Sequence, residues 1–209
     1  MKRTITVTGT GEVKGVPDIA RVELGAEAVR TSVAEARAAA SEGAAKLIES
    51  LKANGVDAKD MQTSRVSIQP QHEYPPNEPP KLTGYLAQNT VRVSLRDLDA
   101  AGAVIDAAVA AAGDAGRLNG ISFAFSNPDA LAAEARRRAV AAALVNARTL
   151  AGAAGVKVGN VLTVDEAGAG SPQPRMYAMR MEAMNAKDTP IEAGESSVTA
   201  SVVVRYAIK

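Results

Sequence analysis

Four methionines, Met176, Met179, Met181 and Met184, stand within the stretch RMYAMRMEAM of this 209-residue chain. Thioethers are soft ligands that favour Cu(I), and they carry no proton to lose on binding. The chain has no cysteine, and its one histidine stands far away in sequence, so nothing supports a soft-metal site beyond the thioethers. Methionine is also flexible and fits irregular apolar surfaces. The preferred reading is therefore a surface of Met176, Tyr177, Met179, Met181 and Met184 that packs on another subunit or a partner. The four methionines are at most weak metal candidates, and a connection without fixed structure is the other reading. The segment from Gly168 to Gly194 is longer than a compact fold needs to join two elements.

Other reactive residue types offer less. His72 is the single histidine. With Glu73 it makes one imidazole and one carboxylate, a poor donor set for zinc, and no serine or aspartate stands at a spacing that suggests a triad. His72 and Tyr74 flank PPNEPP and read as exposed hairpin residues, available for contact. The carboxylate pairs Asp97 and Asp99, Asp165 and Glu166, and Glu192 and Glu195 could do acid–base work only if their environments separated their pKa values. Asp97 and Asp99 read more simply as helix-start residues that meet exposed N–H groups. Arg136, Arg137 and Arg138 spread over about 200° of a helix, and Glu134 is a local partner for Arg138. Gly9, Gly11 and Gly15 interrupt a strand and precede Pro17. A phosphate loop needs its glycines at the start of a helix, so these read as twist or bulge glycines. No catalytic residue, cofactor or firm metal site is assigned, and the chain reads as no enzyme.

Composition narrows the class further. The formal net charge is +1, which provides no broad basic face for nucleic acid. Aromatic residues make up only 3%, so the core must be built from Val, Leu, Ile and many alanines. No run of about 20 apolar residues exists to cross a bilayer as a helix. The start, MKRTITVTG, has basic residues but alternates instead of running apolar, unlike a signal peptide. The expected location is the periplasm or cell envelope if a leader has been removed, and the cytoplasm otherwise.

The elements that must position these residues follow from periodicity. TITVTGTGEV alternates with Ile5, Val7 and Val13 on one side, and IARVELGAEAVR with Ala20, Val22, Leu24, Ala26 and Ala28. Their short join predicts an antiparallel pair. A helix follows over TSVAEARAAASEGAAKLIESLKANG, with a Ser32–Glu35 capping box, a stripe of Val33, Ala36, Ala40, Ala44, Leu47 and Leu51, and Asn54-Gly55 as its stop. A hairpin over 64–95 turns at PPNEPP and carries Tyr85, Ala87, Asn89, Val91, Val93 and Leu95 on one face of its return strand. A second helix places Leu98, Ala101, Ile105, Ala108 and Ala112 inward. The strand with Ile121, Phe123 and Phe125 holds both phenylalanines, which predicts a central position. The longest helix starts at Asn127-Pro128, with Leu131, Ala135, Leu144, Ala147, Leu150 and Ala154 as its stripe. VGNVLTVDEA and SSVTASVVVRYAIK are the last strands, and the two ends of the chain are expected to pair.

The order is β-β-α-β-β-α-β-α-β-β. It predicts an α+β fold: a mostly antiparallel sheet with helices packed on one face and a projecting hairpin. We read 1–209 as a single domain that includes hairpin 64–95 and the Met/Pro/Gly-rich loop 168–195.

The stretches ITVTGTGEV, PDIARVELG, GYLAQNTVRVSLRDLDAAGAVIDAAVAAAG, LNGISFAFSNPDAL and GESSVTASVVVRYAI, taken in order, resemble the SIMPL-domain family, also described as a domain of unknown function. The resemblance spans nearly the whole chain. It implies an α+β fold with an antiparallel sheet, homo-oligomer formation, a protein partner as a further option, and a periplasmic or outer-membrane setting in which members are linked to oxidative-stress defence. It implies no catalytic residues. The matching positions, Gly9, Gly11, Pro17, Asp18, Gly84, Asn89, Asn119, Gly120, Ile121, Pro128 and Gly194, look like turn, cap and packing residues. The expected function is that of a non-enzymatic self-assembling or binding protein. The alternatives are Cu(I) handling at the methionines or an uncharacterised hydrolase.

Overall fold

Among the described residues seven strands and three α-helices follow one another in the expected order: β1 (Thr4–Gly15), β2 (Ile19–Arg30), α1 (Val33–Ala53), β3 (Met61–Glu73), β4 (Lys81–Leu95), α2 (Leu98–Ala111), β5 (Gly116–Ala124), α3 (Pro128–Ala153), β6 (Val158–Glu166) and β7 (Ser196–Ile208). The structure is a computed structural model, and it describes residues 3–167, 189 and 191–209. The strands divide between two antiparallel sheets, β1-β7-β6 and β3-β4-β2-β5. Each sheet belongs to its own compact unit, the first with α3 and the second with α1 and α2.

In the first unit the two ends of the chain pair as expected, from Thr4↔Ala207 to Gly15↔Ser196 without a register shift. Period-two patterning sends Val7, Val13, Val198, Val202, Val204 and Tyr206 into one core with Ala135, Ala139, Ala143 and Ala147 of α3. The buried residues of α3 are all alanine, at four-residue spacing from Ala135 to Ala151. A Cβ added at Gly9 would land on the carbonyl of Ala139 and the amide of Ala143, and one at Gly11 on the carbonyl of Ala135 and the amide of Ala139. These glycines therefore let a helix lie directly on a strand backbone. They are not the bulge glycines read from the sequence, because β1 runs in continuous register. Leu150 of the expected stripe is 51% exposed, because the alanine line turns it outward. Two side chains of α3 cap the outer edge of β1: Arg138 Nη1 donates to Glu12 O at 2.8 Å, and Asn146 Nδ2 to Thr8 O at 2.9 Å. An edge strand treated in this way offers fewer free acceptors to another chain.

In the second unit β2 is central, paired with β4 on one side and β5 on the other. The expected β1–β2 pair does not form, since the two strands lie in different sheets. The expected central place of the phenylalanine strand is also corrected: β5 is an edge, and aromatic content did not outweigh the short aliphatic core of β2. Ala20, Val22, Leu24, Val91, Val93 and Leu95 pack against Leu47 and Leu51 of α1 and Ala101, Ile105 and Ala108 of α2. The helix ends follow local chemistry. Ser32 Oγ accepts from Glu35 N at 3.3 Å, and Gly55 takes a φ of +84° after Asn54. The hydroxyls of Ser32 and then Thr31 hold the Glu35 carboxyl below its ordinary value. Val33 is 45% exposed and lies outside the stripe. The β3–β4 pairing continues to Glu73↔Lys81, past the last β2–β4 partners Arg30↔Tyr85. The hairpin thus projects as a two-stranded ribbon.

Candidate functional site

Met176, Tyr177, Met179, Met181 and Met184 lie outside the described residues. His72 and Tyr74 stand exposed at the hairpin end, with ring centroids 6.5 Å apart at 49°. That arrangement is a loose contact between two rings. Among the described residues no group of three or more His, Asp or Glu side chains is placed to hold a metal ion.

The acidic pairs separate into local roles. Asp97 caps α2, its Oδ1 accepting from Asp99 N and Ala100 N at 3.1 Å each. Glu166 Oε1 accepts from Arg136 Nε at 2.8 Å, while Asp165, one residue earlier on a strand, faces the other way. Glu195 lies 3.9 Å from Lys14. Arg137 and Arg138 both bond Glu134, at 2.6 and 2.9 Å, and their guanidiniums hold its carboxyl below the ordinary value. Asp97 thus serves a cap, Glu134, Glu166 and Glu195 serve ion pairs, and Arg138 also serves a strand edge. Asp97→Ala should cost about 1 kcal/mol, the usual loss for an N-cap, and Asp97→Asn much less. Urea denaturation of both variants checks this, and equal losses would show that Asp97 does something other than cap.

What the second unit leaves uncovered is more informative. On the helix-bearing face of its sheet, one transverse row reads Ala26, Asn89, Val66 and the next Ala28, Ala87, Ile68. Ala26, Ala28 and Ala87 are buried, yet Val66 is 66% and Ile68 37% exposed. The apolar row runs out from under the helices onto β3. Between buried Ala26 and exposed Val66 lies Asn89, whose Oδ1 is buried and has no hydrogen-bond partner among the described residues. A buried carbonyl oxygen left unpaired costs about 1–3 kcal/mol. Sequence reasoning had placed Asn89 on the correct face but treated it as packing. The signal available was a polar residue within an otherwise apolar alternation, from Ala87 through Val91 to Leu95. β3 does not invite simple edge pairing. Pro70 lacks an N–H, and the strand shifts register at Thr63/Arg65 and Gln71/His72. The exposed side chains, rather than the ladder, are what this strand presents.

The fold defines a class: an α+β scaffold of antiparallel sheets with helices packed on them. The chain belongs to the SIMPL family, described as a protein of unknown function (DUF541), whose model matches residues 5–206. It is 34% identical over 215 residues to the 26 kDa periplasmic immunogenic protein of Brucella melitensis, covering 98% of this chain and 84% of that protein. It is 30% identical over 199 residues to the uncharacterized protein YggE of Escherichia coli K12, covering 95% of this chain and 78% of that one. YggE of Edwardsiella ictaluri is also 30% identical, over 177 residues. Nothing in the family's description or these names points to catalysis. Among the described residues no helix is long and apolar enough to cross a membrane.

Proposed function

We propose that this protein works through its surfaces, as a non-enzymatic self-assembling or binding component of the cell envelope with a role in stress tolerance. The observation that carries this reading is the apolar strip of Val66 and Ile68 beside the orphaned Asn89 oxygen. A second copy packed there covers the exposed apolar area of Val66 and Ile68, next to a polar atom that the described residues leave unpaired. The envelope assignment rests on the relative named a periplasmic protein. The ion-paired and capping roles of Asp97, Glu134, Glu166 and Glu195 support a scaffold without a reaction centre.

The chain lacks cysteine, so a Val66→Cys variant carries a single thiol. In an assembly that covers this strip, maleimide should modify it at least about tenfold more slowly than in the urea-unfolded chain, because a covered thiolate is inaccessible. Equal rates would leave the strip open to solvent and overturn the reading.

A further inference from the structure

The face of the second unit's sheet that carries no helix is polar, and its register places charges in rows. Arg21 of β2 lies between Ser94 and Ser122, and Glu23 between Arg92 and Gly120. Arg92 Nη2 donates to Glu23 Oε1 at 2.8 Å. Arg21 has no ion pair among the described residues, and its carbonyl instead accepts from Ser122 Oγ at 3.4 Å. Around these residues lies an open cavity of about 590 Å³ lined by Arg21, Glu23, Arg92, Gly120, Ile121 and Ser122. At its β5 edge the cavity is open: a Cβ at Gly120 would meet nothing within 4 Å.

The geometry points to this cavity as a binding site for a small ligand that presents a carboxylate. A guanidinium offers a planar fork of donors that matches a carboxylate in two parallel hydrogen bonds. The Arg21 fork is unengaged, and Arg92, a diagonal neighbour about 7–8 Å away in such a sheet, has a second amine to offer. Ser122 can add its hydroxyl only by giving up its long bond to the Arg21 carbonyl. Two guanidiniums and the Glu23 carboxylate leave the lining one unit positive. That balance suits a monoanionic carboxylate group. Glu23 also stands against a phosphate dianion, which would bring a second negative charge beside it. The site is open, so its attraction is screened by salt.

The test is calorimetric titration of the full chain with propionate, a monoanion, at low and at 0.5 M sodium chloride, with inorganic phosphate as the comparison arm. Saturable propionate binding that weakens in high salt is expected. It should fall roughly tenfold or more in Arg21→Gln, since a charge-assisted bond is lost. Arg21→Lys keeps the charge without the fork and should fall between the two. Arg37→Gln, on exposed helix surface, should bind as the parent does. Phosphate that binds as tightly as propionate, an Arg21→Gln variant that binds normally, or no saturable heat in the parent would each overturn the assignment.

Discussion

Replacing Gly9 with alanine is expected to lower the stability of the protein by about 2–3 kcal/mol, the cost of overfilling a packed contact. The sign is what makes the result informative. Gly→Ala ordinarily stabilises by about 0.4–1 kcal/mol where the backbone permits it, because the unfolded chain loses freedom. At Gly9 the added methyl meets the carbonyl of Ala139 and the amide of Ala143. Both are helix backbone and have no rotamer with which to move aside, so α3 itself must lift off β1. The buried alanines from Ala135 to Ala151 then lose their contacts together. The midpoint of thermal unfolding should fall by roughly 5–10 °C at the 2–4 °C per kcal/mol usual for chains of this length. Gly152→Ala in the same helix is the control. A Cβ there meets nothing within 4 Å, so a gain of about 0.5–1 kcal/mol is expected from helix propensity. Paired melting curves check both, and a neutral Gly9→Ala would show that α3 does not lie on the strand as described.

Leu24→Ala should be as damaging in the second unit, at about 2–5 kcal/mol. Leu24 is fully buried on the central strand β2, within a cluster that includes Leu47, Leu51, Val91 and Ile105. Neighbours held on two paired strands and two helices cannot collapse into the space left behind, which places the loss toward the upper part of that range. Val66→Ala on the edge strand of the same sheet removes a side chain that is 66% exposed in the single chain, and at a dilution that dissociates any assembly it should change stability by less than about 0.5 kcal/mol. Urea unfolding separates the two cases. A similar loss at both positions would mean that Val66 is already covered within the single chain.

Alternation was enough to read the strands and their faces. The inward sets of β1, β2, β4 and β7 are those that period two predicts, because each lies on a sheet with one covered face. Helix starts at Ser32, Asp97 and Asn127 were equally readable, since each cap needs only residues within one turn. Partner choice was readable only in part. The two patterned chain ends were expected to pair and do, as β1 with β7, whereas the short join between β1 and β2 resembles a hairpin that does not form. The phenylalanine strand was misplaced for a related reason: residue type reports burial better than position in a sheet. Gly9 and Gly11 were read for conformational freedom, whereas their function is the absence of a side chain beneath α3. The match is visible only when the helix's alanine spacing is set beside the strand's glycine spacing. The candidate surface was the least accessible. Val66 and Ile68 have the pattern of any buried face, and only the limited reach of α1 and α2 leaves them open. The residues with the most chemistry, His72, the acid pairs and the arginine run, turned out to be locally occupied or isolated.

We propose that the protein acts as an assembly through a surface that α1 and α2 leave bare. Multi-angle light scattering of the full chain alongside the double variant Val66→Lys/Ile68→Lys tests it most directly. The expected parent mass is two or more times 21.5 kDa, with a smaller particle and unchanged circular dichroism for the variant. A parent that elutes as a monodisperse monomer, or a double variant that keeps the parent's mass, would contradict it.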